Sequence, residues 1–205
     1  MPSEIANPPA ISRAPQRQRG RDRVAALMAA GAALFVERGY DATTMTEIAA
    51  RAGASIGSLY LFFPIKQALA QAMLTGMGDA LSARLDALRA RTEGCSAAEL
   101  ADALFGELAL FLAAHPVYAV LIDLPGEDGW KHAVRARRRA QIAALFAQAR
   151  PALPAGQAER LAVIVPQLMR ITMTLSGEPH PLRDEVLDEL RAMLRHHLEW
   201  PAQGR

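Results

Sequence analysis

Residues Thr43-Thr44-Met45-Thr46-Glu47-Ile48-Ala49-Ala50-Arg51-Ala52-Gly53-Ala54-Ser55-Ile56-Gly57-Ser58-Leu59-Tyr60-Leu61-Phe62-Phe63-Pro64-Ile65-Lys66-Gln67-Ala68-Leu69 decide how this chain folds. Thr44-Met45-Thr46-Glu47 has the spacing of a capping box, in which the Thr44 hydroxyl caps a helix and Glu47 reaches back to the Thr44 N–H. The helix so opened is short, because Gly53 ends it. Ser55 starts a second short helix, Ile56 to about Phe62, and Pro64 permits a fresh start. Two short helices joined around Gly53 and Ala54 form a helix-turn-helix pattern. Ala49 is small where the two helices touch, Gly53 accepts a left-handed turn, and Ile48 and Leu59 fill the core between them. The second helix keeps its other face exposed and is short enough to enter a major groove.

Working outward, every further segment also reads as helix. Upstream, Arg21 to Arg38 places Val24, Leu27, Met28, Leu34 and Phe35 on one face, and Gly39 follows as a stop. Downstream, a long helix from about Ile65 to Arg91 carries the stripe Leu69, Met73, Met77, Leu81, Leu85 and Leu88. Ser96-Ala97-Ala98-Glu99 is a second capping box, opening a helix to Ala114 that His115-Pro116 interrupts. Val117 to Leu124 then runs into the turn cluster Pro125-Gly126-Glu127-Asp128-Gly129. Helices follow at Trp130–Arg150, closed by Pro151, at Gln157–Leu175, with Pro166 expected to kink it, and at Leu182–Trp200. With Ala and Leu dominant and an aromatic share of 5%, the chain is all-α.

The 205 residues suit one large domain or two small ones, and a single cysteine, Cys95, excludes an intramolecular disulfide and fits a reducing, cytoplasmic setting. Met1 to Gly20 carries four prolines and no continuous apolar core, so it is no targeting peptide. The longest uncharged apolar run, Val24 to Val36, is too short to span a bilayer. The net charge of +2 excludes indiscriminate coating of nucleic acid, but its distribution matters more. Residues 1–24 hold +3, residues 25–66 balance to zero, and the rest sum to −1. The surplus sits on residues 1–24, of which 1–20 read as a disordered basic arm leading into the first helix.

The segment quoted at the outset resembles the DNA-binding segment of the TetR family of transcriptional regulators. The likeness rests on Thr43-Thr44, Ile48-Ala49, Ala52-Gly53, Gly57-Ser58-Leu59-Tyr60, Phe63-Pro64 and Lys66, and spans roughly residues 21–70. It implies a three-helix DNA-binding domain over residues 21–66, then a larger helical effector-binding and dimerisation domain over 67–205. Tyr60 and Lys66 are expected on phosphates, the family's matching Tyr and Lys playing that part. The Thr44, Ser55 and Ser58 hydroxyls are expected to reach the DNA backbone. Ile56, Gly57, Ser58 and Leu61 face the bases, a poor donor set that favours shape readout. Arg17, Arg19 and Arg21 are placed along phosphates or in the minor groove. The chain departs from the family where apolar Ile56 replaces a common polar residue, where Ile65 replaces a small polar cap, and where Gln67 replaces an acid.

The resemblance further implies an effector held in the middle of the second domain, whose binding moves the DNA-reading heads apart. Phe105, Leu108, Phe111, Leu112, His115, Tyr118, Trp130, Phe146, Met169 and Met173 are the candidate lining, suited to a small, largely apolar ligand. The last two helices are apolar on more than one side, through Leu161, Ile164, Val165, Leu168, Met169, Ile171 and Leu175, then Leu182, Val186, Leu190, Met193, Leu194 and Leu198. Paired across a two-fold axis they would make a four-helix interface, and a homodimer would read a palindromic operator. Arg135, Arg137, Arg138 and Arg139 read as a solvated helix face. Adjacent His196 and His197 point apart, and no Cys or carboxylate grouping has ligand spacing, so no metal or other cofactor is expected. No nucleophile elbow, phosphate-cradling Gly loop or spaced acid pair nominates an enzyme. The sequence thus reads as a homodimeric repressor released from its operator by an effector, the competing reading being a helical ligand-binding protein with a non-functional DNA head.

Overall fold

A computed structural model of the chain describes residues 13–122, 124, 129–174 and 182–199, and among them every regular element is an α-helix. The chain divides into two compact units, Met1–Gln71 and Ala72–Arg205.

The first unit is built by α1 (Arg13–Arg38), α2 (Met45–Arg51), α3 (Ile56–Phe62) and the start of α4 (Lys66–Arg91). Thr44 caps α2 with both halves of the capping box in place, and Ser55 caps α3 by accepting from the Ser58 N–H. Two glycines make the turns that the helices need: Gly39 ends α1 at φ +82° and Gly53 joins α2 to α3 at φ +60°. Leu27, Leu34, Phe35, Ile48, Ala49, Leu59, Phe63 and Leu69 are buried and form the core of this unit. α1 starts earlier than the sequence reading placed it, so Arg17 and Arg19 belong to a helix rather than to an irregular arm. Arginine and glutamine are good helix formers, Pro15 falls in the first turn where no N–H bond is lost, and Gln18 donates to Asp22 one turn on at 2.8 Å.

The second unit contains the rest of α4, α5 (Ala97–Ala114), α6 (Val117–Ile122), α7 (Gly129–Phe146), α8 (Gln157–Thr174) and α9 (Arg183–Glu199). α7 packs chiefly on α8, and α5 on α9. Leu81, Leu85, Leu88, Leu100, Leu104, Phe111, Leu121, Ile142, Leu145, Leu161 and Val165 are buried in it. Glu107 of α5 accepts from both Arg84 and Arg91 of α4, at 2.8 and 2.6 Å, tying the two helices along their length. α7 ends at Phe146, four residues short of the expected Arg150. The intervening segment bonds instead to the α4–α5 connection: Gln148 donates to the Arg89 and Thr92 carbonyls, and the Arg150 N–H to the Cys95 carbonyl at 2.9 Å. Pro151 disfavours helical geometry at Arg150, so these bonds win. α8 carries Pro166 in its interior, where one main-chain donor is missing. No described helix is long and apolar enough to cross a membrane.

Candidate nucleic-acid interface and ligand cavity

Ion pairs and caps hold α2 against α1 and so set where α3 can stand. Arg51 grips Glu37 through both nitrogens at 2.5 and 2.6 Å, and Arg38 bonds Glu47 at 2.9 Å. All four side chains are well exposed, so these pairs contribute geometry more than stability. The Arg51 bond holds the Glu37 carboxyl below its usual range. The Glu47 carboxyl is lowered chiefly by the Thr44 N–H, then by the Thr44 hydroxyl. Thr43, buried, donates its hydroxyl to the Gly39 carbonyl at 2.8 Å and to the Leu34 carbonyl at 3.3 Å, pinning the end of α1.

On that base, α3 buries only Leu59 and presents the rest. Leu61 is 79% exposed, Tyr60 49% and Ile56 40%, so the side chains expected to face bases and phosphates stand free of the core. At Gly57 an added Cβ would meet nothing within 4 Å. Ser58 is half-buried and its N–H donates to the Ser55 oxygen, a cap that leaves the Ser55 hydroxyl proton available. Thr44 is engaged, accepting from the Glu47 N–H and donating to its carboxylate at 2.8 Å. Arg19 and Arg21 are exposed on α1, while the Arg17 side chain lies outside the described residues.

Lys66 opens α4 and holds partners that the sequence reading did not foresee. Its Nζ donates to the carbonyls of Tyr40 at 2.7 Å, Thr43 at 2.8 Å and Asp41 at 3.2 Å, and lies 4.4 Å from the Tyr40 ring centroid. An ammonium has three N–H donors, and all three are engaged. In this conformation Lys66 is a clamp on the α1–α2 connection, with no donor left for a phosphate. The Tyr40 ring also packs on Phe35, and burial raises its phenol above the usual value.

In the second unit, α5, α6, α7 and α8 surround a cavity of about 590 Å³, with Leu81 of α4 closing one side. Of the expected lining, Leu108, Phe111, Leu112 and Tyr118 are on its wall. Phe105, His115 and Phe146 are not: the Phe105 ring lies under the Arg191 guanidinium of α9, His115 packs on Phe111 at 4.7 Å, and Phe146 is fully buried at the end of α7. The side chains of Trp130, Met169 and Met173 lie outside the described residues. Unforeseen on the wall are His132, Arg135, Arg138 and Arg139 of α7, with Pro166 of α8. Arg138 bonds the Tyr118 hydroxyl and sits over its ring, and burial lowers its pKa to about 10. Arg135 donates to the Ile122 carbonyl at 3.1 Å. Only Arg137 turns out of the cavity wall, toward Asp79 at 3.4 Å. The expected solvated face is therefore divided, and helical spacing carries the signal: 132, 135, 138 and 139 share a side that 137 does not.

These features define an all-α protein with a helix-turn-helix unit and a second helical unit that holds a ligand-sized cavity. Residues 27–73 match the family described as bacterial regulatory proteins, tetR family. The matched stretch spans most of the helix-turn-helix unit and the start of α4. No curated protein sequence matches it. A tetR-family regulatory protein from Rhodococcus RHA1 has a similar fold, with TM-score 0.67 and 16% identity over 86% of this chain and 96% of the other. A TetR-family regulator from Mesorhizobium loti gives TM-score 0.64 and 20% identity over 88% and 96%. AibR, solved with isovaleryl coenzyme A and operator DNA, gives TM-score 0.67 and 18% identity over 83% and 97%. At these identities the likeness is one of fold.

Proposed function

We propose that this protein is a homodimeric DNA-binding transcriptional repressor, released from a palindromic operator by a small molecule held in the second unit. The observation that carries the reading is the free face of α3: a capped, buttressed helix that buries Leu59 alone and offers Ile56, Gly57, Tyr60 and Leu61 outward. Tyr60 contacts phosphate, while Ile56 and Leu61 meet thymine methyls or the groove wall, leaving much of the specificity to DNA shape. The Ser55 and Ser58 hydroxyls approach the DNA backbone, and Arg17, Arg19 and Arg21 add phosphate or minor-groove contacts. AibR, solved with isovaleryl coenzyme A and operator DNA, supports a fold that accommodates both DNA and a small molecule. Val163, Ile164, Leu182 and Met193 are exposed apolar residues on or beside α8 and α9, as a two-fold helical interface requires. An effector acts by favouring one spacing of the two reading heads over another.

The test is fluorescence anisotropy of the dimer, confirmed by light scattering, with DNA flanking its own gene. Tyr60→Phe weakens binding by roughly 1 kcal/mol, the worth of one hydrogen bond. Removal of residues 1–18 flattens the dependence of log K on log salt. No bound fragment at low salt would overturn the reading in favour of a ligand-binding protein with a silent head, for which the apolar Ile56 and Ile65 speak.

A further inference from the structure

The cavity of the second unit has an apolar side and a cationic side. Leu81, Leu108, Phe111 and Leu112 supply the first; His132, Arg135, Arg138 and Arg139, all from α7, supply the second. Among the described residues no carboxylate lies on the wall, and none of these three arginines is in an ion pair. Arg138 is the most informative. Its guanidinium stays charged at neutral pH, yet it is largely withdrawn from water and its described partner is the neutral Tyr118 hydroxyl. A largely desolvated cation without a counter-charge among the described residues is unfavourable, and an anion entering the cavity relieves it. A guanidinium has five donors in a fixed fork; the Tyr118 hydroxyl takes one, and Cζ stands over the Tyr118 ring at 5.2 Å from its centroid, which orients the rest. Arg135 is steadied in turn by the Ile122 carbonyl.

We propose that this cavity binds an amphiphilic organic carboxylate, its head paired with the Arg138 fork and its apolar body along Leu81, Leu108, Phe111 and Leu112. Planar carboxylate geometry matches a guanidinium fork through two parallel bonds. A volume of about 590 Å³ falls within the range that encloses a drug-sized ligand. Tyr118 is the positioning residue, and Arg135 and Arg139 add cationic charge to the same wall. The inference rests on the effector-cavity reading above and replaces its largely apolar ligand with one that carries a charge.

Sodium decanoate and 1-decanol, which share a tail and differ in the head, test it by titration calorimetry on the full-length dimer below their aggregation limits. Decanoate should bind roughly 10- to 100-fold tighter than decanol, the range for a charge-assisted hydrogen bond. In Arg138→Met that preference should fall to near unity, and in Tyr118→Phe it should shrink without vanishing. The comparison on the unaltered protein needs no variant to fold. Equal or tighter binding of decanol, no binding of either compound, or an unchanged preference in a folded Arg138→Met protein would overturn the assignment. DNA binding measured on the same sample separates the two readings. A protein that binds its flanking DNA and prefers decanol refutes this inference alone. One that takes decanoate through Arg138 and binds no DNA refutes the regulator and leaves the cavity assigned.

Discussion

Replacing Lys66 by Met distinguishes two jobs for one ammonium, as a phosphate contact or as a clamp on the α1–α2 connection. Two of its three hydrogen bonds, to the Tyr40 and Thr43 carbonyls, are partly buried, and the third, to Asp41, is exposed. Each partly buried bond contributes about 1 kcal/mol net, and the exposed one is exchanged for water at almost no loss. The contact over the Tyr40 ring adds about 0.5–1 kcal/mol. Loss of all of these should destabilise the protein by about 2–3 kcal/mol. For a chain of this length melting as one transition, Tm should drop by about 4–12 °C. Lys66→Met should leave the slope of log K against log salt for DNA unchanged, because no phosphate partner is lost. A phosphate-contacting lysine behaves in the opposite way, with Tm unmoved and the slope reduced by about 1. Calorimetry with anisotropy across a salt series reads both quantities, and that second pattern would refute the clamp.

Two further predictions concern the turns and caps. Gly53→Ala meets no steric obstacle at its Cβ, but holds alanine at φ +60°; it should destabilise by about 1–2 kcal/mol in urea unfolding, and no change would remove the left-handed requirement. Glu47 and Glu99 have folded pKa values held below 4.5 by the backbone N–H and hydroxyl of Thr44 and Ser96. Their contribution is complete above 4.5 and is lost as pH falls through the depressed folded values. The double variant Glu47→Gln, Glu99→Gln should therefore show a shallower fall of Tm between neutral and acid pH than the parent, and parallel curves would contradict the capping account.

What was legible in the sequence follows the range of the interactions concerned. The limits of α2 and α3 depend on Thr44, Glu47, Gly53 and Ser55, whose partners lie within a few residues, and they appear at the expected places. The end of α7 does not, because Gln148 and Arg150 bond residues more than fifty positions away. The partners of Lys66 were hidden for the same reason: these carbonyls lie more than twenty residues upstream, and a lysine at a helix start reads equally well as an anion site. The arginine run shows a different limit. Its spacing separates Arg137 from Arg135, Arg138 and Arg139, but only the position of α6 against α7 reveals which side is lined by apolar wall. The same holds for Phe105 and Phe146, whose apolar character suits a cavity and a core alike.

The reading face of α3 has one more consequence. Nothing in the described chain leans on Leu61 or on the open position at Gly57, whereas Leu59 bears the packing. Folding and recognition are thus assigned to different side chains of the same two turns. On the proposed function, substitutions at 56, 57, 60 and 61 would alter which DNA is read without passing through a destabilised protein, so the address could change while its mount stays as it is.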